Sequence, residues 1–240
     1  MPSAPERIPA ANYCCDYVPI PDWSGIYAGV HAGGAWSNTS WTFPFLETFN
    51  TAPGQNFPVS WDSGVAGGFL GFNYQINHFL IGIETSYTFG DLSGGVQGPI
   101  PGRPNDHFDV SGSGLFTLTG RLGFAYDKFL LYGKAGFASA GVEVNAQTVA
   151  GTIARTSERE NGWIVGGGLE MRLLSAVLFG VEYNHIDVSG DRFSSLTVGT
   201  TPNLPFHADI QDVHSHMVVA RLSILFGPNA CCHDGLFGKY

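Results

Sequence analysis

Charge is scarce in this chain. Acidic and basic residues together make up 13% of its 240 residues, about half the ~25% of an ordinary soluble domain. Basic residues are the scarcer kind, 11 against 20 acidic, and the net charge of −9 would repel phosphate. That excludes nucleic acid as a partner. Long apolar runs are also missing: no stretch approaches the ~18 consecutive apolar residues that a membrane-spanning helix needs. Disorder is excluded from the other side, because a chain with 44% hydrophobic and 13% aromatic residues can bury a core. What the chain has in plenty is glycine, 33 residues, roughly twice the ~7% norm. Each one weakens a helix by about 1 kcal/mol. An all-β protein of one domain remains.

Residues 1–22 hold five of the 14 prolines and no periodicity, so they read as an extended tail. They contain no basic n-region followed by an apolar h-region, and the case for export rests on the rest of the chain. From Trp23 onward, apolar residues alternate with small or polar ones, the period-2 pattern of strands with two different faces. Eight such segments are expected, at 25–36, 64–76, 79–89, 110–126, 129–144, 162–173, 177–187 and 213–226. The connections alternate in length. Asn77-His78, Asp127-Lys128 and the step at Ser175-Ala176 are tight, whereas 38–60, 91–109, 146–160 and 188–211 are long and polar. Short turns at one end and long loops at the other are the mark of an outer-membrane barrel.

Glu84, Arg121, Lys134, Glu170, Arg172, Glu182 and Arg221 all fall on the non-apolar faces of their strands. Three are acidic and four basic, which suits a closed interior where each charge finds a partner better than a solvated face. An unpaired one would cost several kcal/mol. Interior glycines would give these long side chains room in a narrow barrel. Tyr27, Trp36, Trp61, Tyr74, Tyr87, Tyr126, Trp163 and Tyr183 lie near the expected strand ends, where interfacial girdles sit.

Several phrases resemble the OmpA-like eight-stranded outer-membrane β-barrels, in particular the major surface antigens of alphaproteobacteria. They are DWSGIYAGVHAGGAW at 22–36, GGFLGFNYQ at 67–75, GRLGFAYDKFLLYGKAGFA at 120–138, GWIVGGGLEMRL at 162–173, GVEYNHIDV at 180–188 and VARLSILF at 219–226. The resemblance spans 22–226, and the segment at 120–138 is its most specific part. It implies an antiparallel transmembrane up-and-down barrel over 23–226 in the outer membrane of a Gram-negative bacterium, with a periplasmic tail at 1–22 and a periplasmic extension at 227–240. It also implies an interior ion-pair network, for which Glu84, Arg121, Lys134, Glu170, Glu182 and Arg221 are candidates. In such barrels a terminal aromatic residue is read by the insertion machinery. Phe226 fits, with Ile224 and Leu222 in its row, although 14 residues follow it.

Cys14-Cys15 and Cys231-Cys232 form one vicinal pair in each tail, and an even strand count puts both tails in the oxidising periplasm. A disulfide between the tails is one reading, with three connectivities open. Others are a metal site joined by His233, attachment to another molecule, or two tails with incidental cysteines; the Cys-x₂-Cys spacing of zinc sites is absent. His214 and His216 share one face of a strand, a spacing able to grip a metal or haem iron, although rim histidines without a ligand are the commoner case. His31 reads as a packed polar residue. No Gly-x-Ser-x-Gly elbow is present, so no enzyme, no cofactor and no metal is expected.

The expected function is structural: a barrel that supports the envelope, sits among outer-membrane lipid and lipopolysaccharide, and presents loops. Two alternatives come from other classes. One is a narrow pore, which an interior just wide enough for its own side chains disfavours. The other is a binding protein that engages an envelope or surface partner through the aromatics of the first loop, Trp41, Phe43, Phe45, Phe49 and Phe57.

Overall fold

Two hairpins pin the register at one end of the molecule. Asn77 and Asp127 each open a two-residue turn with positive φ, 56° and 48°, a backbone region these two residue types tolerate better than most. In the computed structural model, the described residues are 22–43, 55–90, 94–97, 107–148, 151–188, 192–196, 205–210 and 213–227.

Among the described residues eleven strands form one antiparallel sheet. They are β1 (Gly25–Phe43), β2 (Gln55–Ile76), β3 (Phe79–Gly90), β4 (Gly94–Gln97), β5 (His107–Tyr126), β6 (Phe129–Thr148), β7 (Gly151–Arg172), β8 (Val177–Val188), β9 (Arg192–Leu196), β10 (Pro205–Ile210) and β11 (Val213–Phe226). Eight of them, β1, β2, β3, β5, β6, β7, β8 and β11, run in ring order, and β11 closes on β1 from Ile26↔Phe226 to Asn38↔His214. The result is the eight-stranded closed barrel that the alternation predicted.

The long connections are not simple loops. β1 and β2 stay paired out to Phe43↔Gln55, and β6 and β7 to Thr148↔Gly151. β4 adds to β5, β9 pairs with β10, and β10 adds to β1 at Trp41↔Ile210. Much of what the sequence marks as loop is therefore strand. The ladder simply continues from the wall below.

The wall is turned inside out relative to a soluble protein. Thirty-two large apolar side chains among the described residues are exposed, Phe79 and Tyr126 each at 69%. Ordinary monomers tolerate a largest apolar patch of only ~300–600 Å², so this belt needs lipid, not water, around it. Inside, two apolar layers fill the lumen. Trp23, Leu80, Ala125, Leu130, Leu178 and Leu225 pack at the end of the tight turns. Ala35, Val65, Leu115, Ile164, Ile186 and Met217 pack toward the other end. Among the described residues no helix is long and apolar enough to cross a membrane; the strands do the crossing.

Candidate functional site

Between the two apolar layers lies a charged one, and every barrel strand contributes to it. β1 supplies Tyr27, β2 Phe69, β3 Glu84, β5 Arg121, β6 Tyr132 and Lys134, β7 Glu170, β8 Glu182 and β11 Arg221. Each of these side chains is buried. Arg221 grips Glu84 with both terminal guanidinium nitrogens, Nη2 to Oε2 at 2.5 Å and Nη1 to Oε1 at 3.0 Å, and it also pairs with Glu182. Lys134 Nζ bridges Glu182 Oε1 at 2.7 Å and Glu84 Oε1 at 3.4 Å. Arg121 reaches Glu170 Oε1 at 3.0 Å and Glu84 Oε2 at 3.2 Å. Bidentate and charge-assisted contacts of this kind are the strong class of hydrogen bond.

Aromatic rings complete the layer. The Tyr27 hydroxyl donates to Glu84 at 2.9 Å and accepts from Arg121 at 2.5 Å, while the Tyr132 hydroxyl donates to Glu182 at 2.6 Å. Arg121 lies 3.8 Å above the Tyr132 ring and Arg221 3.8 Å above that of Phe69, in cation–π range. Glycine makes the space. A Cβ on Gly180 would stand 2.7 Å from Glu170 Cγ, and one on Gly168 would stand 2.7 Å from the Tyr132 hydroxyl.

Six of the seven charged residues picked out in the sequence meet here. Arg172 does not. It sits at the last position of β7, where it donates to the carbonyls of Ser175 at 3.0 Å and Asp22 at 2.7 Å and lies 5.1 Å from the Trp23 ring. Strand alternation gives it the right face but the wrong height. Without it the layer holds three carboxylates and three cations and is neutral. Tyr27 is the second correction: it points inward to Glu84 and belongs to no girdle, because its parity in β1 is that of His31, not Ile26. Tyr132 and Phe69 were missed as members of the layer, although they share the parity of Lys134 and Gly71.

Trp36, Tyr74, Tyr87, Tyr126, Trp163 and Tyr183 are exposed on the outer wall near its two ends. Leu222, Ile224 and Phe226 face outward in one row, with Phe226 opposite Ile26 across the seam. His31 is buried and shares a 2.9 Å hydrogen bond with Thr88 Oγ1. Trp41, Phe43 and Phe57 fall within β1 and β2, with Trp41 and Phe57 in register. Their side chains, that of Trp61, and all of Phe45 and Phe49 lie outside the described residues, as do Cys14, Cys15, Cys231, Cys232 and His233.

On the outer wall, His214 and His216 of β11 stand opposite Asp187 and His185 of β8. His214 Nδ1 lies 2.8 Å from Asp187 Oδ2. His216 Nδ1 lies 2.7 Å from the Tyr183 hydroxyl and 3.5 Å from His185 Nδ1.

A closed antiparallel wall with a lipid-facing apolar belt and a filled lumen defines a small transmembrane β-barrel. The chain belongs to the outer membrane protein beta-barrel domain family, whose model matches residues 20–201, and it is a protein of the Gram-negative outer membrane. It is 24% identical over 188 residues to a 25 kDa outer-membrane immunogenic protein of Brucella canis, covering 78% of this chain and 74% of that one. A 22 kDa outer membrane protein of Rhizobium leguminosarum bv. viciae is 30% identical over 122 residues, half of each chain. The fold is similar to that of the outer membrane protease OmpT from Escherichia coli, with a TM-score of 0.55 at 13% identity over 86% of this chain and 97% of that one. It is also similar to OprG from Pseudomonas aeruginosa, with a TM-score of 0.50 at 11% identity over 85% and 97%. These structural likenesses carry the fold and no activity.

Proposed function

We propose that this barrel is a non-enzymatic structural protein of the outer membrane that supports the envelope and presents its outer strands and loops at the cell surface. The observation that carries this reading is the neutral layer of Glu84, Arg121, Lys134, Glu170, Glu182 and Arg221 across the lumen. Apolar clusters pack on both sides of it. Breaking into the layer would strand a charge in a confined interior, at several kcal/mol. A permanent pore is therefore disfavoured, and the wall's value lies in what it anchors. Its partners in this reading are outer-membrane lipid and lipopolysaccharide around the belt. The insertion machinery is the partner that would read the Leu222, Ile224 and Phe226 row. Purified protein in a planar bilayer should show no steady conductance above that of the bare membrane. A stable open channel under the same conditions would replace this reading with that of a narrow porin.

A further inference from the structure

The outer wall carries a polar cluster that a lipid-facing surface does not need. Residues two apart on a strand share a face, so His185 and Asp187 of β8 point the same way. His214 and His216 of β11 stand directly across the ladder from them, in the pairs His214↔Asp187 and His216↔His185. The cluster lies at the end remote from the tight turns. Trp163 is 5.4 Å from His185 and Trp36 is 5.8 Å from His216, ring to ring. Both tryptophans belong to the outer aromatic belt, so the four residues sit at the level of the outer-leaflet headgroups.

We propose that His185, Asp187 and His214 form a binding site for a first-row transition-metal cation of the zinc or copper class. Each residue offers one ligand atom, and the three atoms lie within 4.8 Å of one another. A tetrahedral ion with bonds of 2.0–2.2 Å brings its ligands to about 3.4 Å apart. His214 Nδ1 and Asp187 Oδ2, now a hydrogen-bonded pair at 2.8 Å, would open by about 0.6 Å and release their shared proton as the ion enters, while His185 closes in from within 4.8 Å. Two imidazole nitrogens and one carboxylate oxygen suit zinc or copper, whereas calcium and magnesium favour all-oxygen shells. The His214 side chain is 53% exposed and that of Asp187 19%, so the cluster is open on its outer side. Three protein ligands leave a fourth position open.

His216 is a positioning residue in this site. Its Nδ1 is engaged by the Tyr183 hydroxyl, its ring stacks on Trp36, and it faces His185 Nδ1 at 3.5 Å. It therefore fixes the ring orientation of the ligand beside it, as outer-shell partners of metal-bound histidines do.

The test uses the full chain folded in detergent micelles, with its cysteines alkylated so that the tails do not compete. Zinc chloride is titrated calorimetrically, and copper(II) is titrated against tryptophan fluorescence, since a bound copper ion quenches indoles a few ångströms away. One zinc per chain is expected, together with saturable copper quenching. His185→Ala, Asp187→Asn and His214→Ala should each weaken zinc at least tenfold. His216→Ala should weaken it less, and His78→Ala, at a tight turn, should leave it unchanged. Gel mobility before and after heating verifies that each variant is a folded barrel. Wild-type protein that takes up no zinc would make the cluster an ordinary rim ion pair and overturn the proposal. So would a folded His185→Ala, His214→Ala double variant that binds zinc as wild type does.

Discussion

Glu84 on β3 and Asp187 on β8 are both carboxylates fixed by strand register, yet their side chains are 1% and 19% exposed. Glu84 meets Arg121, Lys134 and Arg221 inside the barrel. Asp187 meets a histidine on the outside of the wall. The inner cluster is buried, with cations and carboxylates equal in number. The outer one is open, with donor atoms converging and one side exposed on the outer wall. Strand parity alone decides which side a charge faces. What surrounds it then decides whether it acts as a structural tie or a ligand.

The sharpest way to break this contrast is at the centre of the inner cluster. Arg221→Ala removes one partner from each of Glu84, Glu170 and Glu182, and losing one member of a buried pair costs about 3–5 kcal/mol. Urea unfolding followed by tryptophan fluorescence should show a loss of that size. The double change Arg121→Met with Glu170→Gln removes one charge of each sign. It should cost clearly less than the sum of its two single changes, which a double-mutant cycle measures. If Arg221→Ala keeps wild-type stability, the inner layer is not closed.

A smaller effect separates the two faces by glycine. Gly180→Ala would press on Glu170 Cγ from inside the lumen, and overpacking of this kind costs about 1–3 kcal/mol. Gly120 faces outward, and the nearest atom a Cβ there would meet is the Ala135 carbonyl oxygen at 4.0 Å. Gly120→Ala should change stability by no more than about 0.5 kcal/mol. Equal losses for the two variants in the same unfolding assay would show that lumen crowding is not what keeps Gly180.

The alternation at Leu118, Leu122 and Phe124 against Thr117, Thr119 and Arg121 suffices to place the inner charges, because period 2 is a property of the chain alone. The eight-strand ring was legible for the same reason. Two things were not. Parity carries no height, so Arg172 looked equivalent to Glu170 although it stands one pleat nearer the turn. Pairing between distant strands is also silent in the sequence. His214 and His216 were visible as a pair, but His185 and Asp187 join them only through the β8–β11 register. The outward continuation of β1 and β2 does alternate, with Trp41 and Phe43 in one and Phe57, Val59 and Trp61 in the other, but Pro58 and the length of the connection mark it as loop.

Arg172 gives the mildest prediction and the most discriminating one for the inner layer. The carboxylate it attracts, Asp22, is half-buried at the rim rather than enclosed in the lumen. Its two recorded partners are the carbonyls of Ser175 and Asp22, and the guanidinium spreads beside the Trp23 ring. Arg172→Ala therefore loses two hydrogen bonds at a half-buried rim, where water can replace the lost donor. A net intramolecular hydrogen bond is worth about 1 kcal/mol, and the rehydrated carbonyls recover part of that. The variant should unfold about 1 kcal/mol more easily than wild type and stay non-conducting in a planar bilayer. Arg121→Ala, inside the charged layer on β5, leaves Glu170 with the longer 3.5 Å contact to Arg221 Nε and should lose several times as much. If the two variants lose equal stability, charge pairing at the centre has no advantage over hydrogen bonding at the rim, and the layered reading of the lumen fails.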